Sequence, residues 1–294
     1  MTPPHEQRDL PAMELHSLWD FNDLSASRTR FEAALAKAET PDDQAACLSQ
    51  LARLEGLEQH FETAEDLLRQ AEDMGPTAAV TARITLERAR LSRDRNREAN
   101  AATGFHQAAR QARAAGALDV ALDALHMQAI AAPAAVAVAL LEQAEALTKR
   151  APHLRGWLGP FYNNLGWSLF EEGDPAAALD MFQKDKALRR SLGSEHERRV
   201  AGVNCAKMLR FLGRNAEALD QLQRLTVEIG PQGFGLGLVF EERAELAFAA
   251  GRSAEARQYA DQARQFFTRH GITPDQQPSR FERLDHLAGK AATS

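Results

Sequence analysis

The chain holds only two cysteines, two tyrosines and three tryptophans among 294 residues. Cys47 and Cys205 lie far apart without metal-ligand spacing, which excludes a disulfide framework and a zinc knuckle. Isolated cysteines of this kind read as small core residues of a reduced protein. Runs of alternating valine, isoleucine or threonine are missing, so no stretch reads as a strand. Long apolar runs are missing too. The longest, Ala129 to Leu141, is alanine-rich, interrupted by Pro133, and too short to span a bilayer of about 30 Å. The leading residues Met1–Glu6 carry no apolar stretch of the signal-peptide kind. A cytoplasmic protein with no membrane contact is expected.

Catalytic constellations are absent as well. The nine histidines are scattered, with no His-Glu-x-x-His pair for zinc. There is no Gly-x-Ser-x-Gly elbow and no Gly-x-x-x-x-Gly-Lys-Ser/Thr loop to cradle phosphates. Gly233-Phe234-Gly235-Leu236-Gly237 looks superficially like a dinucleotide loop, but no strand precedes it and the third glycine is misplaced. It reads as a flexible connection. The expectation is a non-enzymatic protein with no cofactor and no metal.

What remains is rich in alanine, leucine, glutamate, arginine and glutamine, the strong helix formers. One register recurs: a small residue, a large apolar one four positions on, and a small one three further. It runs Ser27/Phe31/Ala34, Ala64/Leu68/Ala71, Ala101/Phe105/Ala108 and Ala137/Leu141/Ala144, then Ala178/Phe182/Asp185, Ala218/Leu222/Leu225 and Ala256/Ala260/Ala263. The first members are spaced by 37, 37, 36, 41, 40 and 38 residues. Positions i, i+4 and i+7 share one helix face, so each triplet marks the buried stripe of a second helix. Twelve residues earlier stand Ala52, Ala89, Gly166, Ala206 and Ala244, small enough for a first helix to approach closely. Gly173-Asp174-Pro175, Gly213-Arg214-Asn215 and Gly251-Arg252-Ser253 supply helix stops and starts between the two helices. The turn around Ala131–Pro133 is compressed and leaves the register near His126 open by a residue or two.

This pattern resembles the tetratricopeptide repeat. The clearest copy is Tyr162-Asn163-Asn164-Leu165-Gly166-Trp167, followed by Gly173, Ala178 and Phe182, and the likeness covers roughly Pro11 to Gly271. Asp185, at a small position, and Arg243, at a leucine position, depart from it. The narrower likeness is to stand-alone bacterial proteins of this type and brings no activity with it. The resemblance implies an all-α fold, a right-handed α-solenoid superhelix of about seven antiparallel helix pairs plus a C-terminal capping helix. The expected organisation is a disordered tail at 1–10, a repeat domain at 11–272, and a linker, capping helix and tail at 273–294. Phe281, Leu284 and Leu287 form the stripe of the cap, and Leu15, Leu18, Trp19 and Phe21 would close the first pair.

Charge is uneven. Residues 1–82 hold 16 acidic and 6 basic side chains, a balance of −10, while residues 83–113 hold 8 arginines against Glu87, Asp94 and Glu98, a balance of +5. On a chain of net charge −6, a local arginine patch suits an acidic peptide better than nucleic acid. In the repeat family the first helices line the concave face where partners bind. Counting from the tight position places Arg53, Arg83, Arg90, Arg93, His126, Asn163, Asn164, Trp167, Asn204, Lys207, Arg210, Glu241 and Glu245 there. Asparagine amides could pair with an extended backbone, and Arg or Lys with a carboxylate. Each also has a plainer reading: the asparagines as bridges between helices, Trp167 and His126 as interior residues, Lys207 and Arg210 as solvated. The expected partner is an unidentified protein or peptide, with an acidic segment or C-terminus fitting the cations. The expected function is a scaffold that binds it in the groove. The alternative is a sensory or regulatory module that takes a signal peptide or small ligand and acts on a separate output protein.

Overall fold

In the computed structural model, residues 12–21, 23–231, 233 and 235–289 are described, so the expected tails at 1–10 and beyond 289 lie outside them. The chain divides into two compact units, residues 1–157 and 158–294. Every element among the described residues is helical.

The first unit contains α1 (Ala12–Ser17), α2 (Leu24–Lys37), α3 (Pro41–Leu57), α4 (Phe61–Asp73), α5 (Ala78–Asp94), α6 (Glu98–Ala114), α7 (Leu118–Ile130) and α8 (Ala134–Arg150), closed by a 3₁₀ turn, Pro152–Trp157. The second contains α9 (Leu158–Glu171), α10 (Pro175–Leu192), α11 (Glu195–Phe211), α12 (Asn215–Ile229), α13 (Leu236–Ala249), α14 (Ser253–Arg269) and α15 (Pro278–Leu287). Helices pack in sequence order as hairpins: α3 on α4, α5 on α6, α7 on α8, α9 on α10, α11 on α12 and α13 on α14. Ahead of them, α1 has six residues and α2 fourteen.

Local sequence explains these boundaries. Thr40, Thr77 and Asp174 cap α3, α5 and α10 by accepting a backbone N–H three residues on, and Pro41, Pro175 and Pro278 stand in first turns, where a missing N–H costs nothing. Gly173, Gly213 and Gly251 take positive φ between the helices of the last three pairs. In earlier pairs the same left-handed turn falls on Gln59 (φ 65) and Asn96 (φ 57), which a search for glycine passes over.

The small–large–small stripe is the core. Ala64, Leu68, Ala71, Ala108, Ala144, Ala178, Phe182, Ala218, Leu222, Ala256 and Ala263 are all 0% exposed. Close approach is literal at Gly166, where an added Cβ would stand 2.8 Å from the Phe182 ring, and at Gly104, where it would stand 2.7 Å from the Ala89 Cβ. Asp185 is buried at its small position and pairs with Arg189 at 3.0 Å, and burial pushes its carboxyl above the usual range. Arg243 is accommodated by Gln223 at 2.6 Å and the Tyr259 hydroxyl at 3.1 Å.

The cap forms as expected: Phe281, Leu284 and Leu287 of α15 bury against Ala244, Ala260, Ala263 and Phe267. Two expectations need correction. Gly237 belongs to α13 and not to a connection; its missing Cβ makes room for Phe266 and Phe267. Phe21 does not close the first pair: it is 53% exposed, while Leu15 is buried.

Candidate functional site

Within each unit the first helices stand side by side, α3, α5 and α7 in one, α9, α11 and α13 in the other. The residues expected from the sequence to bind a partner all fall on these helices. Arg53, Arg83, Arg90, Arg93 and His126 lie in the first unit; Asn163, Asn164, Trp167, Asn204, Lys207, Arg210, Glu241 and Glu245 lie in the second.

In the first unit most of these charges are already satisfied. Arg83 donates to Asp119 at 2.7 Å across α5 and α7. Arg90, 5% exposed, donates to Glu87 at 2.6 Å and to Asp123. Burial works against the Arg90 charge, but Asp123 and Glu87 outweigh it and hold its pKa above the ordinary value. Burial likewise works against the Asp123 carboxylate, and Arg90 and Arg53 reverse the sign, leaving it below the usual range. His126 sits beside this network. Burial pushes its pKa down to about 4 against the pull of Asp123, so the ring is neutral near pH 7. Arg93 pairs with its neighbour Asp94 at 2.9 Å.

Arg53 is different. Among the described residues it has no carboxylate partner and no hydrogen bond; its guanidinium lies 4.9 Å from the centre of the Trp19 ring and 5.3 Å from that of Phe21. Burial lowers its pKa, and Arg90 adds to the effect.

In the second unit Trp167 packs edge-on to Phe182 (5.2 Å) and Phe170 (6.0 Å), and Phe170 meets Phe211 at 4.6 Å. Phe211 is 49% exposed and carries the Arg210 guanidinium over its face at 4.6 Å. Asn163 donates to Asn164 at 3.2 Å. Arg210 donates to Glu242 at 2.9 Å. Glu241 and Glu245 accept from Arg280 at 3.3 Å and Arg283 at 2.8 Å, both supplied by α15. The capping helix therefore supplies a cation to each of these two acids.

Two polar groups on this face stay unspent. Asn204 is 8% exposed, yet its amide makes no hydrogen bond among the described residues. Lys207, one turn on, makes no ion pair or hydrogen bond among them, although Glu241 and Glu245 feel its charge, and its ammonium sits 5.2 Å from the centre of the Trp167 ring. Among the described residues the fully buried side-chain atoms without a partner are Glu87 Oε2, Gln111 Oε1, Arg243 Nε and Gln262 Oε1, and the Asn204 amide is not one of them.

Sequence reasoning missed the partners Asp119, Asp123, Arg280 and Arg283. A signal for Asp123 was present. Two residues before each tight position stand Gln50, Glu87, Asp123, Asn164, Asn204 and Glu242, spaced by 37, 36, 41, 40 and 38 residues, the spacings of the buried triplets. That position is polar in the second to the seventh pair, and reading it down the chain fixes the register at His126.

Hairpins stacked in order, each burying a small–large–small stripe from its second helix, make the fold all-α and tetratricopeptide-like, an α-solenoid by class. Solved structures of similar arrangement include a tetratricopeptide repeat protein from Parabacteroides merdae (13% identity, 95% of this chain and 97% of that one, TM-score 0.48). Another is the apo form of the quorum sensor NprR from B. thuringiensis (14% identity, 94% and 85%, TM-score 0.47). No family model and no curated protein matches the sequence. Among the described residues no helix is long and apolar enough to cross a membrane.

Proposed function

We propose that the chain is a non-catalytic interaction scaffold that holds a segment of a partner protein on the first-helix face of its second unit. The observation that carries this reading is Asn204, an amide left without a partner on a residue more than nine-tenths buried. Its amide offers both a donor and an acceptor to the backbone of a bound segment. Lys207 adds a cation for an acidic side chain or carboxyl terminus, and the half-buried Trp167 and Phe170 with exposed Phe211 offer an apolar step beside it. Acidic segments suit this face because its other charges, Arg210, Glu241, Glu242 and Glu245, already cancel within the chain.

Selection from a random peptide display library on the intact chain tests the proposal. Enriched peptides should carry an acidic residue and should lose at least about tenfold in affinity for an Asn204→Ala/Lys207→Glu variant whose helical circular dichroism matches the parent. An enriched set that binds parent and variant alike would move the working surface elsewhere.

The sensory reading is favoured by one further feature, a cleft of about 380 Å³ in the first unit lined by Leu15, Asp43, Val80, Arg83, Leu118 and Leu154, among others. That volume lies in the range of small-molecule sites.

A further inference from the structure

On the first-helix face of the first unit four arginines stand against four carboxylates, and three of the arginines make ion pairs. Arg83 is matched by Asp119, Arg90 by Glu87 and Asp123, and Arg93 by Asp94. Arg53 makes no ion pair or hydrogen bond among the described residues; it lies against two aromatic rings, within electrostatic reach of Glu87 and Asp123.

Those rings form a fixed platform. Trp19 and Phe21 stack with centroids 4.9 Å apart and planes 5° from parallel. Trp19 donates its indole N–H to Gln50 Oε1 at 2.8 Å and meets Phe31, a 0% exposed core residue, edge-on at 5.1 Å. The guanidinium carbon lies close to both rings, and no N–H of Arg53 is spent on a hydrogen bond among the described residues. It is therefore held in place with its donor fork unspent, the arrangement that receives a carboxylate in a bidentate grip. Burial above all, with Arg90 adding to it against the pull of Glu87 and Asp123, holds the Arg53 pKa below its ordinary value. The free oxygen of Glu87 is fully buried and leaves Arg53 unpaired. Phe21, more than half exposed beside the guanidinium, offers an apolar surface to whatever carries that charge.

We propose that Arg53, on the Trp19–Phe21 platform, is the anchor of a carboxylate-binding site whose ligand presents an apolar or aromatic group to Phe21. The site belongs to the first unit and uses none of the residues of the Asn204 face. Its ligand is a small aryl-alkyl acid or an acidic residue flanked by an aromatic one in a protein segment; both offer the same chemistry.

The test is titration of the intact chain, read by calorimetry and by the Trp19 indole N–H resonance in NMR. The probes are 4-phenylbutyrate, 4-phenylbutanol, 4-phenylbutylamine and the capped dipeptide acetyl-Phe-Glu-amide. The acid should bind saturably and shift the Trp19 resonance, with the alcohol and the amine at least about tenfold weaker. Arg53→Gln should weaken the acid at least about tenfold, Arg53→Lys should retain part of the affinity, and Asn204→Ala should leave it unchanged. Tighter binding of the dipeptide would assign the anchor to a protein segment, and tighter binding of phenylbutyrate to a small acid. Alcohol binding equal to acid binding, unchanged affinity in Arg53→Gln, or no saturable binding of either acid overturns the proposal. A matched thermal melt for Arg53→Gln separates loss of the site from loss of the fold.

Discussion

Replacing Arg90 with alanine removes the cation that binds two buried carboxylates. The Arg90 side chain is 6% exposed, that of Glu87 2% and that of Asp123 11%. Removing one member of a buried ion pair typically costs about 3–5 kcal/mol, because the abandoned charges stay desolvated. Here Arg53 remains within electrostatic reach of both acids, so the expected loss is about 3 kcal/mol, a large share of a total near 5–15 kcal/mol. The loss should depend on pH. In the parent, Arg90 holds the Asp123 carboxyl below its ordinary value, so its stabilisation is full above the unfolded pKa of about 3.9 and fades as pH falls through the folded one. In the variant burial dominates, the folded pKa lies above the unfolded one, and the penalty shrinks as acid protonates the carboxyl. The two stability curves should converge between about pH 7 and pH 4. Urea unfolding by tryptophan fluorescence in a Trp167→Phe background, where Trp19 and Trp157 report on the first unit, measures this. Swapping all three charges for apolar residues, Glu87→Leu/Arg90→Met/Asp123→Leu, should cost less than about 1 kcal/mol. A deficit under about 1 kcal/mol for Arg90→Ala, or one that ignores pH, would refute the reasoning.

Gly166→Ala should destabilise the second unit by about 1–3 kcal/mol, since the new methyl group would stand 2.8 Å from the Phe182 ring, and adding Phe182→Leu should restore part of that in thermal melts. His126 is folded with a pKa near 4 against an ordinary 6.5, so the unfolded state takes up its proton first and stability should fall as pH drops from about 6.5 toward 4. His126→Gln should flatten that segment of the stability–pH curve by about 2 kcal/mol; an unchanged curve would place the imidazole in water.

Much of this architecture was legible in the chain. Period and side-chain size mark the buried stripe, because an alanine or phenylalanine four and seven residues along a helix must share one face whatever lies beyond it. The same local logic gives the caps at Thr40, Thr77 and Asp174 and the tight approach at Gly166. It failed where a conformation was carried by an unlikely residue, as at Gln59, whose left-handed turn has no signature in composition.

The candidate surface was legible only as a set of positions. Sequence placed Arg83, Arg90, Asn204 and Lys207 on first helices, since helical register is a local property. Which of those side chains are spent could not be read, because an ion pair depends on what a helix some 30 to 40 residues away brings within 3 Å. Asp119 lies 36 residues from Arg83, Asp123 lies 33 from Arg90, and Arg283 lies 38 from Glu245. Packing alone decided that these charges cancel while Arg53, Asn204 and Lys207 stay available. Hydrophobic burial follows a pattern written along the chain, whereas the pairing of polar groups is settled only when separate helices meet.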